Sequence, residues 1–517
     1  MTHVGTDFTR RTFLRTTGGA GLAAGLGAAL PRGARAQDLP NPADVLARIS
    51  VPGYVREDYR DLYNMSDQPL WDPNKDWIRT VDWERVRSEL AGTKVRFAVG
   101  AADQESAADG LAPFEQLSGI EVELVPIPDD NFYDKAVSEF ISGNASFDAL
   151  QFFSPWLGDF AAPGFLADLQ PFADKWALPL DDFYETYRRN YAFFGGKMVG
   201  IPFDCDVQMV HLRKSYLEQL LGGPVDRAAS VPTYDDLIRI SAELNGIEEG
   251  VAGVGLLGAR GFWSTYTWEH VAAQAGMMLF DEDWNPIFND ERGMKGMEIV
   301  LELNRNAAKG VAGWGWGENR AAWLGGQVAT NVSWQDSGTQ AMRPDQSSIV
   351  DDHITIYEPR IEGGRFAPPN IAGSTSCVAA SSQNPEGAFL MLAFLTTSSI
   401  MAMNEANANG VAPGYKSVLT NPRLGEVSQP SEPWSNSLPH AWCAPRLPGM
   451  FEMEQVLGNE INRALTGQIS GREALDNGAA RWREIMDRNG FYGSNPPVAY
   501  EDVADGLYLG AGKDLPF

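Results

Sequence analysis

Cysteine and histidine are scarce in this chain, with three of the first and five of the second among 517 residues. No two of His3, His211, His270, His353 and His440 stand at metal-ligand spacing, so zinc chemistry has no support and no metal is expected. Cys205, Cys377 and Cys443 are too few for a disulfide framework. One bridge with a free thiol, or three buried thiols, are the remaining options, and a Cys205–Cys377 pairing stays open. Positive charge is also short: 41 Lys and Arg face 68 Asp and Glu, a formal net charge of −27. Such a surface repels phosphate backbones and anionic lipid, which excludes nucleic acid as a partner.

Long apolar runs are missing after the first thirty residues. The longest, Ala388 to Leu395, meets Thr396 and Thr397 well short of the ~20 residues a spanning helix needs. Signatures of nucleotide or calcium binding fail in context. Gly253, Gly255 and Gly258 have dinucleotide spacing, yet Arg260-Gly261-Phe262-Trp263 stands where a phosphate-capping helix should open. Asp281-Glu282-Asp283 begins like a calcium loop, but Pro286 and Arg292 occupy its glycine and closing glutamate positions. Neither a Gly-x-Ser-x-Gly elbow nor a phosphate-binding loop is present. No cofactor and no catalytic residue is therefore expected.

What is there begins with Thr9-Arg10-Arg11-Thr12-Phe13-Leu14, a small-residue apolar run from Gly18 to Leu30, and Ala34-Arg35-Ala36. Together these read as a twin-arginine export signal over residues 1–36, cleaved before Gln37 and directing the folded protein to the periplasm. Removing it takes away five arginines and one aspartate and moves the formal charge from −27 to −31. The remaining chain exceeds what one core usually serves, so two lobes are expected. Residues 37–92, with Trp71, Trp77 and Trp83, read as a helical N-terminal extension.

From Lys94 the pattern turns to strand, helix, strand, helix, strand, which implies parallel pairing with right-handed crossovers and an α/β fold. Ligands of such sheets sit beyond the carboxyl ends of the strands, which puts Asp103, Gln104 and Trp156 at a cleft edge. The middle third carries helical periodicity and seven of the fifteen tryptophans. The expected division is 93–208 with 356–408 in lobe 1, 209–355 with 409–490 in lobe 2, and a C-terminal tail from 491 to 517.

Several ordered strings carry a family likeness: Gly195-Gly196-Lys197-Met198-Val199-Gly200-Ile201-Pro202-Phe203-Asp204, Pro232-Thr233-Tyr234-Asp235-Asp236-Leu237, Trp323-Leu324-Gly325-Gly326-Gln327-Val328-Ala329, Ile371-Ala372-Gly373-Ser374, Asn384-Pro385-Glu386-Gly387-Ala388 and Gly410-Val411-Ala412-Pro413-Gly414-Tyr415. Over about residues 94 to 487 the chain resembles family 1 of the extracellular solute-binding proteins, the sugar-type binding components of ABC importers. The resemblance implies a periplasmic-binding-protein-like type II fold, two α/β lobes around a hinge and an interlobe cleft. It further implies a small-molecule ligand such as a sugar, ABC permease subunits as partners, and no catalysis.

Independently, Pro202 removes a ladder donor where a strand leaves its sheet, so this stretch suits a crossing between lobes, with Asp204 and Asp206 facing the cleft floor. Sugars present C–H faces to aromatic rings and hydroxyls to planar polar groups. Six tryptophans lie near turns or polar neighbours, Trp316 among them, and the candidates taken from them are Trp156, Trp263 beside Arg260, Trp268, Trp314, and above all Trp334, which ends a strand where the family places a stacking aromatic. Asp336, Asn370, Gly373, Ser374 and Tyr415 complete the expected set through their family-like strings. Two rivals stand beside this reading: an exported carbohydrate-active or cofactor-bearing enzyme, and the same fold binding a polyamine or another cation.

Overall fold

The computed structural model describes residues 39–49, 69–101, 104–143, 145–361 and 369–500. The export signal expected over residues 1–36 and the expected cleft residue Asp103 lie outside them. Among the described residues ten strands follow in chain order: β1 Lys94–Gly100, β2 Glu121–Ile127, β3 Ala149–Phe153, β4 Phe193–Phe194, β5 Lys197–Met198, β6 Ile201–Leu212, β7 Ala252–Gly255, β8 Val328–Trp334, β9 Ile354–Ile356 and β10 Ile371–Val378. Eight of them join in the order β2-β1-β3-β10-β6-β8-β7, with β9 also on β6. The pairs β1–β2, β1–β3 and β7–β8 are parallel, and β10 runs antiparallel to both β3 and β6. The helices Gln104–Ser118 and Asp129–Ser142 provide the crossovers that parallel strands need.

Strand β6 joins the two halves. All twelve of its residues are buried. Its first part, Ile201 to Val207, pairs with β10, while Gln208 to Leu212 pairs with β8. Opposite Pro202 the β6–β10 register slips between Ser374 and Thr375, the irregularity that a residue without an N–H donor favours. Two further segments run beside it. The Gln208 N–H donates to Asn370 O (2.9 Å), the Ile371 N–H to Trp442 O (2.9 Å) and the Trp442 N–H to Pro369 O (3.0 Å). Three crossings held by backbone hydrogen bonds make a hinge rather than a tether.

Each half has its own core. The first gathers Val95, Phe97, Phe114, Ile201, Phe389 and Phe394, and the N-terminal extension adds Val45, Trp77 and Trp83 to it. Asp76 fastens that extension by accepting from the Thr397 hydroxyl (2.9 Å) and the Ser399 N–H (3.2 Å) at the start of helix Ser398–Ala406. The second core gathers helices Tyr234–Leu244, Phe262–Gln274, Glu291–Asn304, Met450–Leu465 and Gly471–Arg488. Local sequence explains several of their starts: Thr233, Asp290 and Ser470 each accept a backbone N–H of the first turn.

Val411, Tyr415, Leu424 and Trp434 bury in the first core, whereas Trp442, Leu447 and Met450 bury in the second. The change of lobe expected at 409 therefore falls near 442, because the segment after Gly410 carries apolar residues that fill the first half. Phe491 and Val498, expected in a tail, pack into the second core. All three cysteines are buried free thiols, with no Cys205–Cys377 bridge. Among the described residues no single helix is long and apolar enough to cross a membrane.

Candidate functional site

A cavity of about 750 Å³ lies where the two halves face each other. Gly100 and Ala101 at the end of β1, and Gln151 to Phe153 at the end of β3, form one wall. This is the carboxyl-end position at which open α/β sheets bind ligands. Asp204 and Asp206 from β6, with Gly373 and Ser374 from β10, form the floor. The opposite wall comes from Arg260, Phe262, Trp263, Trp316, Glu318, Arg320, Trp334 and Asp336.

Backbone geometry shapes the floor. Gly373 has φ +94°, and a Cβ there would lie 2.2 Å from the Asp204 carbonyl oxygen, so only glycine lets β10 approach β6. Asp204 accepts the Ala412 N–H at 2.8 Å, tying the loop after Gly410 to the hinge strand. Asp206 accepts from Gln335 Nε2 at 2.6 Å, while Gln335 Oε1 accepts the Val207 N–H at 2.7 Å. Gln335 is thus clamped between the side chain and the backbone of the hinge strand. Gln151 donates to the Ser374 hydroxyl and accepts the Gly100 N–H at 3.1 Å, fixing that corner.

The aromatic residues form a connected cage. Trp334 stands edge-on to Trp263 (ring centroids 6.0 Å apart) and to Phe153 (6.2 Å). Trp156 meets Phe262 at 5.9 Å, and the Arg320 guanidinium lies 4.1 Å from the Trp316 ring centroid. Polar atoms without a hydrogen-bond partner in the protein punctuate this cage: Trp156 Nε1, Trp334 Nε1 and Asp336 Oδ1, all buried. Burial first, and then the neighbouring Asp206 carboxylate, push Asp336 well above the usual carboxylate range.

Of the residues expected from sequence, Trp156, Asp204, Asp206, Arg260, Trp263, Trp334, Asp336, Gly373 and Ser374 come together around the cavity. Five described ones do not line it. Trp268 is buried in the second core, donating to Gly293 O at 3.0 Å and meeting Phe288 edge-on. Trp314 is partly buried against that core. Asn370 belongs to the hinge, and Tyr415 is buried with its ring 4.1 Å from Phe183. Gln104 is exposed at the start of its helix.

Gln151, Phe153, Phe262, Glu318 and Arg320 line the cavity without having been singled out, and Trp316, one of the tryptophans noted near turns, lines it too. The first two share a face of β3 by the two-residue period of a strand, a signal the sequence held. Among the described residues no group of His, Cys, Asp and Glu is arranged to hold a metal ion.

The model of the bacterial extracellular solute-binding protein family matches residues 96–402. A probable amino-acid ABC transporter periplasmic-binding protein of Sinorhizobium fredii is 26% identical over 411 residues, 78% of this chain and 91% of the relative. The erythritol/L-threitol-binding protein of Mycolicibacterium smegmatis is 23% identical over 330 residues, 60% of this chain and 67% of the relative. Among solved structures, an ABC transporter solute-binding protein from Agrobacterium radiobacter K84 in complex with ribitol is similar with a TM-score of 0.69 at 21% identity. The match covers 77% of this chain and 99% of that one. The fold is of the periplasmic-binding-protein-like type II class.

Proposed function

The chain belongs to the bacterial extracellular solute-binding proteins, and from that premise we propose that it captures a polyhydroxylated solute, a sugar or sugar alcohol, and hands it to an ABC permease. One observation carries the choice of solute. A single interlobe cavity combines flat aromatic faces with buried indole N–H donors and a carboxyl oxygen that the protein leaves unpartnered. Hydroxyl groups accept from the first and donate to the second, while sugar C–H faces lie on the rings. The cavity volume falls within the range of sites for small ligands. That proteins similar to this one bind ribitol, erythritol and threitol supports the same class.

Binding then works by hinge closure. A solute in the cleft contacts both walls, and the contacts made only when the lobes close shift the equilibrium toward closure. The closed pair of lobe surfaces is what the permease reads. The twin-arginine-like segment near the N-terminus supports export of the folded chain, so that this work is done in the periplasm. Nothing is chemically transformed; the ligand leaves as it entered.

The test is a thermal-shift panel of alditols, monosaccharides and disaccharides, followed by calorimetry on each hit. The reading expects ligand-dependent stabilisation without turnover. Stabilisation by amino acids alone, or conversion of a sugar to a product, would contradict it.

A further inference from the structure

Four carboxyl side chains and two guanidinium groups line the cavity: Asp204, Asp206, Glu318 and Asp336 against Arg260 and Arg320. Three of the carboxylates also serve the fold. Asp204 accepts the Ala412 N–H, Asp206 the Gln335 amide, and Glu318 the Gly315 N–H at 3.1 Å. Asp336 differs from these. It is 3% exposed, it lines the cavity, and its Oδ1 has no hydrogen-bond partner. The groups around it are Asp206 from β6, Arg320 from helix Trp316–Leu324 and Glu405 from helix Ser398–Ala406, together with the Ser337 N–H of its own helix. Carboxylates outnumber guanidiniums in a site that closure removes from water, where uncompensated charge is costly. Burial, and then the neighbouring Asp206 carboxylate, raise the affinity of Asp336 for a proton.

We propose that the solute carries an amino group as well as hydroxyls, an amino sugar or amino alditol, and that Asp336, with Asp206 beside it, receives its ammonium. This rests on the reading of the cleft as a site for polyhydroxylated solutes and adds a charge to the guest. The step balances simply. The ammonium keeps its own proton and donates an N–H to Asp336 Oδ1, and the proton that Asp336 held passes to the buffer. The ligand's hydroxyls accept from the Trp156 and Trp334 indoles. A neutral polyol would leave Asp336 protonated and release nothing.

Calorimetry on the full chain at pH 7, with two matched pairs, tests this: D-glucosamine against D-glucose, and D-glucamine against D-sorbitol. Each is titrated in two buffers that differ in ionisation enthalpy. The expected result is that the amine of at least one pair binds at least about tenfold tighter than its neutral partner and releases about one proton. In Asp336→Asn the preference should fall toward parity, and the buffer dependence should vanish. The wild-type proton count stands whether or not the variant folds.

Equal or tighter binding of both neutral partners overturns the inference and leaves the polyol reading in place. So does amine binding without proton release. Failure of both amines to bind also overturns it. Binding of putrescine, with no hydroxylated compound bound, overturns both readings.

Discussion

Trp334 ends β8 with its ring against Trp263 and Phe153 and its indole N–H unpartnered at the cavity wall. If the solute stacks there, Trp334→Ala should weaken binding by roughly tenfold or more, as large aromatic anchors in buried sites do. Trp334→Phe keeps a ring and loses only the N–H, so its loss should be smaller. Calorimetry with whichever sugar or alditol stabilises the wild type checks both, and unchanged affinity in the alanine variant would remove Trp334 from the site. Much of the site was legible residue by residue, because strand ends and turns of an α/β pattern say where a cleft must be. Trp314 and Trp316 show where that legibility ran out. They stand two residues apart, but Gly315 lies between them as the N-cap of a helix, so one ring packs against a core and the other lines the cavity. Composition cannot separate two such tryptophans; the direction of the capping turn does.

At the scale of elements, the β6–β10 pair depends on Gly373. Gly373→Ala would force a Cβ onto the Asp204 carbonyl in a left-handed backbone conformation, so the variant should lose about 2–4 kcal/mol in denaturant unfolding. Unchanged stability would mean that β10 can retreat from the hinge strand. A second contact lies beside the third crossing. Asp159, on the short helix Leu157–Ala161, accepts the Gly449 N–H (2.6 Å) and the Phe451 N–H (3.1 Å) at the start of helix Met450–Leu465. The Tyr133 ring stacks on Phe451 at 3.8 Å beside it.

Burial pushes Asp159 up to about 6 from 3.8, against the lowering effect of those two N–H donors. A carboxyl whose folded value is raised contributes stability that is present below its unfolded value and lost as pH climbs through the folded one. Between pH 4 and pH 8 the wild type should therefore lose about 2 kcal/mol relative to Asp159→Asn, which cannot ionise. Denaturant unfolding of both proteins at the two pH values checks this, and a constant difference would contradict it. Pro202 and the Gly195-Gly196 turn announced the hinge in the sequence. The Asp159 cap did not show there, because its partners are backbone groups 290 and 292 positions away.

For the whole molecule, three crossings, a cavity between two cores and an added N-terminal segment are the parts that a hinged body needs. The α/β alternation could be read from the order of strands and helices, and the presence of two lobes from the length of the chain. The point where the chain finally changes lobe could not, since the stretch after Gly410 is apolar enough for either core and only packing decided. Closure predicts that small-angle scattering on the protein saturated with a bound sugar or alditol gives a smaller radius of gyration than the free protein. An equal radius at saturation would mean that binding leaves the hinge unmoved. The account as a whole rests on the nature of the guest. Mass spectrometry of the small molecules released from the protein purified from its native host tests that most directly: a hydroxyl-rich compound in near-stoichiometric amount is the predicted result, and a guest without hydroxyls, or a tightly held prosthetic group, would contradict it.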